Sequence, residues 1–217
     1  MVGDLVTRVY LVRHGQTEWN KSLTFRGRID IPLNERGHRE AEAIAESLKD
    51  KSIGAIYTSP LRRSTDTARP AARFFNLKIV PVQGFIDISY GDWEGLTFNE
   101  VRGRYKDQYT KWEKRPDLVR FPKGETLDEA RIRSLCAMRV IVGENPGKSI
   151  LIISHRVINK VLLCAILGLS NSHFWEIRQD TGCVNLIEYY HEGFVLSMMN
   201  DICHLRGIAD ETVQPDF

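Results

Sequence analysis

Tyr10-Leu11-Val12-Arg13-His14-Gly15-Gln16-Thr17-Glu18-Trp19-Asn20 reads as a buried strand that stops abruptly on reactive polar residues. Val9 to Val12 supply the apolar run, and Arg13, His14 and Gly15 end it. Strand ends of this kind commonly present chemistry at the rim of an α/β sheet. A single Arg-His-Gly would read better as a surface histidine beside a turn. The arrangement recurs, however. The apolar run Ile150 to Ile153 ends at Ser154-His155, and Ala55 to Thr58 ends at Ser59-Pro60 with Arg62 in the following turn.

Working outward, Ala41, Ile44, Ala45 and Leu48 recur at helical spacing and predict a helix from Asn34 or Glu35 to about Lys49. Ser59-Pro60 reads as an N-cap and first-turn proline, and Arg69-Pro70 should kink or interrupt the helix that follows. Leu77 to Val82 is strand-like. Phe98, Val101, Tyr105, Tyr109 and Trp112 fall at spacings of three and four and read as a packing stripe that roofs a neighbouring pocket. Thr126 with Glu129 caps a helix over Gly124 to Val142, and Arg156 to Leu167 forms another that ends at Gly168. Val184 to Tyr189 and Val195 to Met199 read as two strands joined by His191-Glu192-Gly193. Strands alternating with helices and closed by a hairpin imply a three-layer α/β sandwich, with a mostly parallel central sheet and helices on both faces. One domain is expected over residues 1–205, followed by a polar, frayed tail over 206–217.

The chain has 217 residues, a net charge of +2, 42% hydrophobic and 27% charged residues. These are ordinary values for a globular domain, and they give no electrostatic reason to expect a nucleic-acid or membrane partner. No apolar run approaches the roughly 20 residues of a membrane helix. Met1-Val2-Gly3-Asp4 shows no signal-peptide pattern. Cys136, Cys164, Cys183 and Cys203 form no Cys-x-x-Cys pair and read as reduced thiols. A cytoplasmic location is expected, and assembly into a homo-oligomer stays open.

If the three strand ends share one rim, His14, His155, Arg13 and Arg62 converge there. The helix after Pro60 adds free N–H groups and its positive dipole end. Arg13 and Arg62 can each give paired hydrogen bonds to phosphate oxygens, so the expected ligand is a phosphoryl group. A neutral histidine nitrogen can attack phosphorus near pH 7. His14 suits that role, because Gly15 permits a tight backbone approach that fixes the ring. His155 would then donate to the phosphoryl oxygens as charge develops. The leaving oxygen needs an acid, and Phe85 to Gly95 offers Asp87, Asp92 and Glu94. Whichever serves must titrate above a free carboxylate, through partial burial.

The chain resembles the histidine phosphatase superfamily, also called phosphoglycerate mutase-like, over nearly its whole length. Leu11 to Asn20, Phe25 to Leu33, Ser59-Pro60-Leu61-Arg62-Arg63-Ser64 with Thr67-Ala68, Gly91-Asp92-Trp93-Glu94-Gly95, and Ser154-His155 carry the resemblance. It implies that His14 becomes the phosphohistidine, and that Arg13, Asn20, Arg62 and His155 hold the phosphoryl group. Gly27 would offer a backbone contact. Asp87, by its offset from Gly91, takes the place of the proton donor, where the family usually has glutamate. Arg26 stands where glutamine is usual and adds charge at the pocket mouth. Arg156 follows His155 where many members have glycine; it could read a second acidic group or point into solvent. His204 matches a C-terminal histidine of the phosphoserine-specific group. No metal or other cofactor is implied. The short segment between Gly95 and Gly124 lacks the enclosing insertion of a mutase. The expected function is therefore metal-independent hydrolysis of a small phosphorylated metabolite, in the branch resembling α-ribazole phosphatase and metal-independent phosphoserine phosphatase. Phosphoglycerate mutase-type transfer and a catalytically silent phosphoester-binding module are the alternatives.

Overall fold

Val9 and Leu11 enter one core while Tyr10 and Val12 enter another, and all four are buried. A strand buried on both faces belongs in the middle of a sheet covered by helices. The computed structural model describes residues 5–191 and 193–208. Its strands are β1 (Thr7–Arg13), β2 (Ile53–Thr58), β3 (Ile79–Pro81), β4 (Ser149–Ser154), β5 (Val184–Tyr190) and β6 (Gly193–Asp201). They form one six-stranded sheet in the order β3-β2-β4-β1-β5-β6. β1, β2, β3 and β4 run parallel, while β5 and β6 are antiparallel additions beside β1.

The helices are α1 (Glu18–Lys21), α2 (Glu35–Ser47), α3 (Arg62–Phe75), α4 (Phe98–Arg104), α5 (Lys106–Lys114), α6 (Leu127–Glu144) and α7 (Arg156–Ile166). α2 and α3 cover one face through Ile44, Ala45, Ala68 and Ala71, against Val12, Leu151 and Ile153. α6 and α7 cover the other through Met138, Val157, Val161 and Leu162, against Leu11, Ile150 and Ile152. The result is the expected three-layer sandwich. Asn34 caps α2 by accepting from the Gly37 N–H at 2.9 Å, and Thr126 with Glu129 forms a capping box on α6. No described helix is long and apolar enough to cross a membrane.

Several local expectations need correction. α3 begins at Arg62 with Leu61 as its N-cap, later than Ser59-Pro60 would place it. The Ser59 hydroxyl is used elsewhere, accepting from the Leu61 N–H and facing His155. α3 also continues through Pro70 to Phe75. A mid-helix proline costs about 3 kcal/mol through its missing N–H and ring clash. Here Pro70 is buried between Ala68 and Ala71, and packing against α2 and the sheet offsets that cost. The aromatic stripe is not one helix. Tyr105 breaks it at φ −126°, ψ 41°, giving α4 and α5, with Val101, Tyr109 and Trp112 buried. Glu192 of the hairpin turn, and residues 209–217 of the expected tail, lie outside the described residues.

The loop after β1 lies directly against the start of α2. A Cβ on Gly15 would sit 2.6 Å from the Gly37 carbonyl oxygen, and one on Gly37 would sit 2.1 Å from the Gln16 carbonyl oxygen. Two backbones meet there without room for a methyl group. Gly37→Ala therefore sets helix propensity, which favours alanine by about 1 kcal/mol, against overlap, which costs roughly 1–3 kcal/mol. Overlap wins. The urea unfolding midpoint should fall, and a rise would show that this contact is not made.

Candidate active site

β1 and β4 are paired in register, with Arg13 opposite Ser154. The next residue on each chain is therefore a histidine at the same rim. The His14 N–H donates to the Ser154 carbonyl at 3.0 Å, and the Ser59 N–H after β2 donates to the Ile153 carbonyl at 2.9 Å. These bonds carry the strand pairing one residue past the sheet. The two imidazoles meet edge to face with ring centroids 5.1 Å apart, both essentially inaccessible to solvent.

Their neighbours fix which nitrogen carries the proton. His14 Nδ1 lies 2.7 Å from the Gly15 carbonyl oxygen. A carbonyl can only accept, so Nδ1 holds the hydrogen and Nε2 carries the lone pair. His155 Nδ1 accepts from Arg63 Nε at 3.2 Å, and a guanidinium can only donate. His155 therefore carries its hydrogen on Nε2, which faces the Ser59 hydroxyl at 2.7 Å. Burial pushes the pKa of His14 well below its ordinary value, and the charges of Arg63, Arg13 and Arg26 push it further. Burial and then Arg63 do the same to His155. Both rings are neutral at pH 7.

Arg63, not Arg62, is the arginine of the crevice. Arg63 is fully buried and makes four hydrogen bonds to protein. Nε donates to His155, Nη1 to the Ile29 carbonyl at 2.9 Å, and Nη2 to the Gly27 carbonyl at 2.7 Å and to Asp87 Oδ2 at 3.0 Å. Arg62 is exposed on the other side of the helix start, its backbone N–H held by Asp30 at 2.7 Å. The buried face of α3 explains the difference. Arg63, Ser64, Thr67, Ala68 and Ala71 lie on one side, at the spacing of a helical stripe. Extending the apolar stripe of Ala68 and Ala71 back toward Ser59 would have picked Arg63.

Asp87 is buried beside Arg63, with Oδ2 3.6 Å from His155 Nδ1 and Oδ1 accepting from the Ile88 N–H at 2.9 Å. Its segment is held from behind by Arg133, which the sequence did not single out. Arg133 donates to the carbonyls of Gly84, Ile86 and Asp87 and pairs with Glu125. Arg28 also reaches Glu125 and the Asp87 carbonyl. Glu94 is turned toward the Tyr90 N–H and the Ser89 hydroxyl, and Asp92 pairs with Lys123.

The remaining expected residues surround this centre. Arg13 is buried, and its guanidinium donates to the Gln179 carbonyl. Asn20 is buried, with Oδ1 accepting from the Thr17 N–H and hydroxyl, so its NH₂ is the end an anion would use. Gly27 has φ +50°, and a Cβ there would sit 2.3 Å from Glu94 Oε1, so a side chain at this position would be strained and would displace Glu94. Arg26 donates to the Trp19 carbonyl at 3.1 Å. Its pKa is pulled down to about 9, first by burial and then by Arg13, Arg63 and Arg156. Tyr90 is pushed up to about 12 by burial while hydrogen-bonded to Arg156. His204 stands apart, with Nε2 on the Gly182 carbonyl at 3.0 Å. Glu40, also not singled out, is a fully buried carboxylate that accepts from the Gln16 N–H and from Arg36. It anchors the loop that follows His14.

The helix starts add positive charge to the crevice. α1, α2, α4, α5 and α6 each carry an acidic residue in the first turn, whereas α3 and α7 carry none and open on Arg62-Arg63 and Arg156. Arginine at a positive helix end is locally unfavourable. Two such ends at one rim favour an anion there. No group of three His, Cys, Asp or Glu side chains suited to a metal occurs among the described residues.

A family profile described as "Histidine phosphatase superfamily (branch 1)" matches residues 9–202. Phosphoserine phosphatase 1 of Hydrogenobacter thermophilus is 30% identical over 92% of this chain and 95% of its own length. Among solved structures, Bacillus stearothermophilus YhfR superposes with a TM-score of 0.88 at 30% identity, covering 92% of this chain and 99% of that one. The phosphoserine phosphatase of Entamoeba histolytica superposes at 0.83 with 26% identity, over 92% of this chain and 99% of that one. It has been solved with phosphoserine and with 3-phosphoglyceric acid.

The depressed histidines couple stability to pH. The unfolded chain takes up protons near the ordinary histidine pKa of 6.5, and the folded chain refuses them until the pH is much lower. Stability contributed by the neutral rings is present above pH 6.5 and is lost as pH falls below it, at up to about 1.4 kcal/mol per pH unit for each ring. Urea unfolding between pH 7 and 5 should therefore show a steeper loss for the native chain than for His14→Gln. Equal slopes would mean that His14 is not held neutral.

Proposed function

This chain belongs to the histidine phosphatase superfamily and is a phosphatase, and on that premise we propose that it hydrolyses small phosphomonoesters through a phosphohistidine on His14, with no metal. The observation that carries the reading is the His14 tautomer. Nδ1–H is fixed on the Gly15 carbonyl, so the nucleophilic pair sits on Nε2 of a ring kept neutral among arginines.

In the first half-reaction His14 Nε2 attacks phosphorus in line, the P–N bond forms, and the P–O bond to the alcohol breaks. The leaving oxygen takes its proton from the carboxyl of Asp87, the buried acid that touches both Arg63 and His155. In the second half, water attacks phosphorus and gives its proton back to Asp87, the P–N bond breaks, and inorganic phosphate leaves. Charge on the phosphoryl oxygens is met by Arg13, Arg63 and the NH₂ of Asn20. Arg63 spends most of its N–H groups on protein, so it acts as a fixed positive charge more than as a two-pronged clamp. His155 contributes by turning its single N–H from Ser59 to an incoming oxygen. The Entamoeba histolytica protein's complexes with phosphoserine and 3-phosphoglyceric acid support a small phosphorylated metabolite as the ligand.

Metal-dependent hydrolysis fits less well, because both nitrogens of His155 already have partners and arginines crowd the rim. A silent binding module would have no need of a tautomer-fixed nucleophile. A mutase is the runner-up, and following phosphate release beside phosphoglycerate isomerisation separates the two.

An aryl phosphate should be hydrolysed at the same rate with and without a strong chelator. His14→Ala should abolish both turnover and the acid-labile phosphoenzyme seen by rapid quench; unchanged turnover would refute the nucleophile. Arg63→Ala should lower kcat/KM by about 10²–10³-fold, against a change within roughly threefold for the surface variant Arg62→Ala. The reverse order would restore Arg62 to the site. Asp87→Asn should slow alkyl esters far more than aryl phosphates, whose leaving groups need no proton.

A further inference from the structure

Attack by His14 meets an electrostatic difficulty. As the P–N bond forms the imidazole turns positive, and Arg63, Arg13 and Arg26 resist that charge. The bond from Nδ1 to the Gly15 carbonyl works the other way. A neutral carbonyl is a modest acceptor for a ring that must become cationic. What stands behind that carbonyl therefore bears on the nucleophile.

The Gly15 carbonyl shares one peptide group with the Gln16 N–H, which donates to Glu40 Oε2 at 2.8 Å. Glu40 is fully buried on α2. Its Oε1 accepts from Arg36 Nε at 2.9 Å and from the Thr181 hydroxyl at 3.3 Å, which leaves Oε2 to the peptide. All three partners donate, as suits an ionised carboxylate. The backbone here is held on every side. The Gly15 N–H donates to Thr67 Oγ1 at 3.0 Å, and the Asn34 N–H donates to the Gln16 carbonyl at 3.0 Å. Gly37 packs against Gln16 with no room for a methyl group. Two hydrogen bonds joined by one conjugated amide thus connect the His14 ring to a buried carboxylate. Amide resonance couples the two ends. A carboxylate on the N–H draws negative charge onto the carbonyl oxygen and strengthens its bond to the ring.

We propose that Glu40 is a positioning residue that acts through the Gly15–Gln16 peptide, holding the His14 tautomer and stabilising the positive ring formed on attack. It does for His14 what a buried aspartate does for the histidine of a serine-protease triad, with an amide placed between. The inference rests on the nucleophile reading above and adds to it a residue that touches neither substrate nor His14. The Nδ1 hydrogen stays on the ring while Nε2 takes the phosphoryl group, and Glu40 stays ionised throughout.

Glu40→Gln removes the charge at nearly the same shape. NMR of the full chain carrying isotope-labelled histidine reads the ring directly, with the His14 signals assigned by their loss in His14→Gln. In Glu40→Gln the His14 Hδ1 resonance should move upfield as its hydrogen bond weakens. Rapid quench with an aryl phosphate should show phosphoenzyme formation slowed on the order of tenfold, the difference between a charge-assisted and a neutral hydrogen bond. The Kd for inorganic phosphate should stay within about twofold, because the phosphoryl donors are untouched. An Hδ1 resonance that does not move in folded Glu40→Gln would overturn the relay. So would equal losses of rate and phosphate affinity, the mark of a loop merely loosened. If circular dichroism shows Glu40→Gln unfolded, Glu40→Asp, whose carboxylate is one methylene shorter, is read by the same signals. A resonance that responds to Glu40, in a protein whose native form makes no phosphoenzyme, would defeat the nucleophile reading and keep the link from Glu40 to His14.

Discussion

Parallel pairing of β1 with β4, with Arg13 opposite Ser154, is the constraint from which the site follows. Each strand is buried on both faces, and its side chains alternate between two cores. A slip of one residue would exchange those cores and throw the packing out of register. The apolar alternation therefore sets the register, and the register sets His14 beside His155. β2 on the far side of β4 brings Ser59 to the same rim through its bond to Ile153. Catalytic geometry here depends on core packing several residues away.

The second constraint is electrostatic. Arg13, Arg26, Arg63 and Arg156 gather around two neutral histidines, an arrangement that repels itself. Rigid partners make it tolerable. Arg63 is locked by four bonds, Asp87 sits against it, and Arg133 with Glu125 braces the Asp87 segment. Removing Asp87 would leave a buried Arg63 N–H without its hydrogen-bond acceptor, at a cost of about 1–3 kcal/mol. Pairs such as Arg73–Glu42 lie in water, where screening leaves them little weight. In the proposed reading, stability and function thus draw on the same few residues, and the positive charge is in place before an anion arrives.

How far the chain could be read without its fold differs from residue to residue. Val9 to Val12 and Ile150 to Ile153 announced central strands, because no surface strand is apolar on both faces. Asn34 and Thr126 announced helix starts through side chains that cap their own backbone. Ser59-Pro60 was misleading, since a serine before a proline looks like a cap, and only the fold shows its hydroxyl turned to His155. Pro70 was misleading for a related reason. Local geometry says break, and burial between α2 and the sheet overrides it. Arg133 and Glu40 gave no sign, because the backbone groups they hold, at Ile86 and Gln16, lie far away in sequence.

The sequence by itself determined the layering, the residue types at each strand end, and the phosphoryl chemistry they serve, since alternation, capping and side-chain chemistry are local properties. Residue type left open which of two adjacent arginines faces that chemistry, and the buried face of α3 decides it. Arg62 and Arg63 are equivalent to any reading by residue type, and the true start of α3 turns Arg63 inward to His155 and Asp87 and leaves Arg62 in solvent. Only the tertiary structure decided the tautomers. A histidine's proton goes where its neighbours require, and those neighbours, the Gly15 carbonyl and the Arg63 guanidinium, are in place only once the strands have paired.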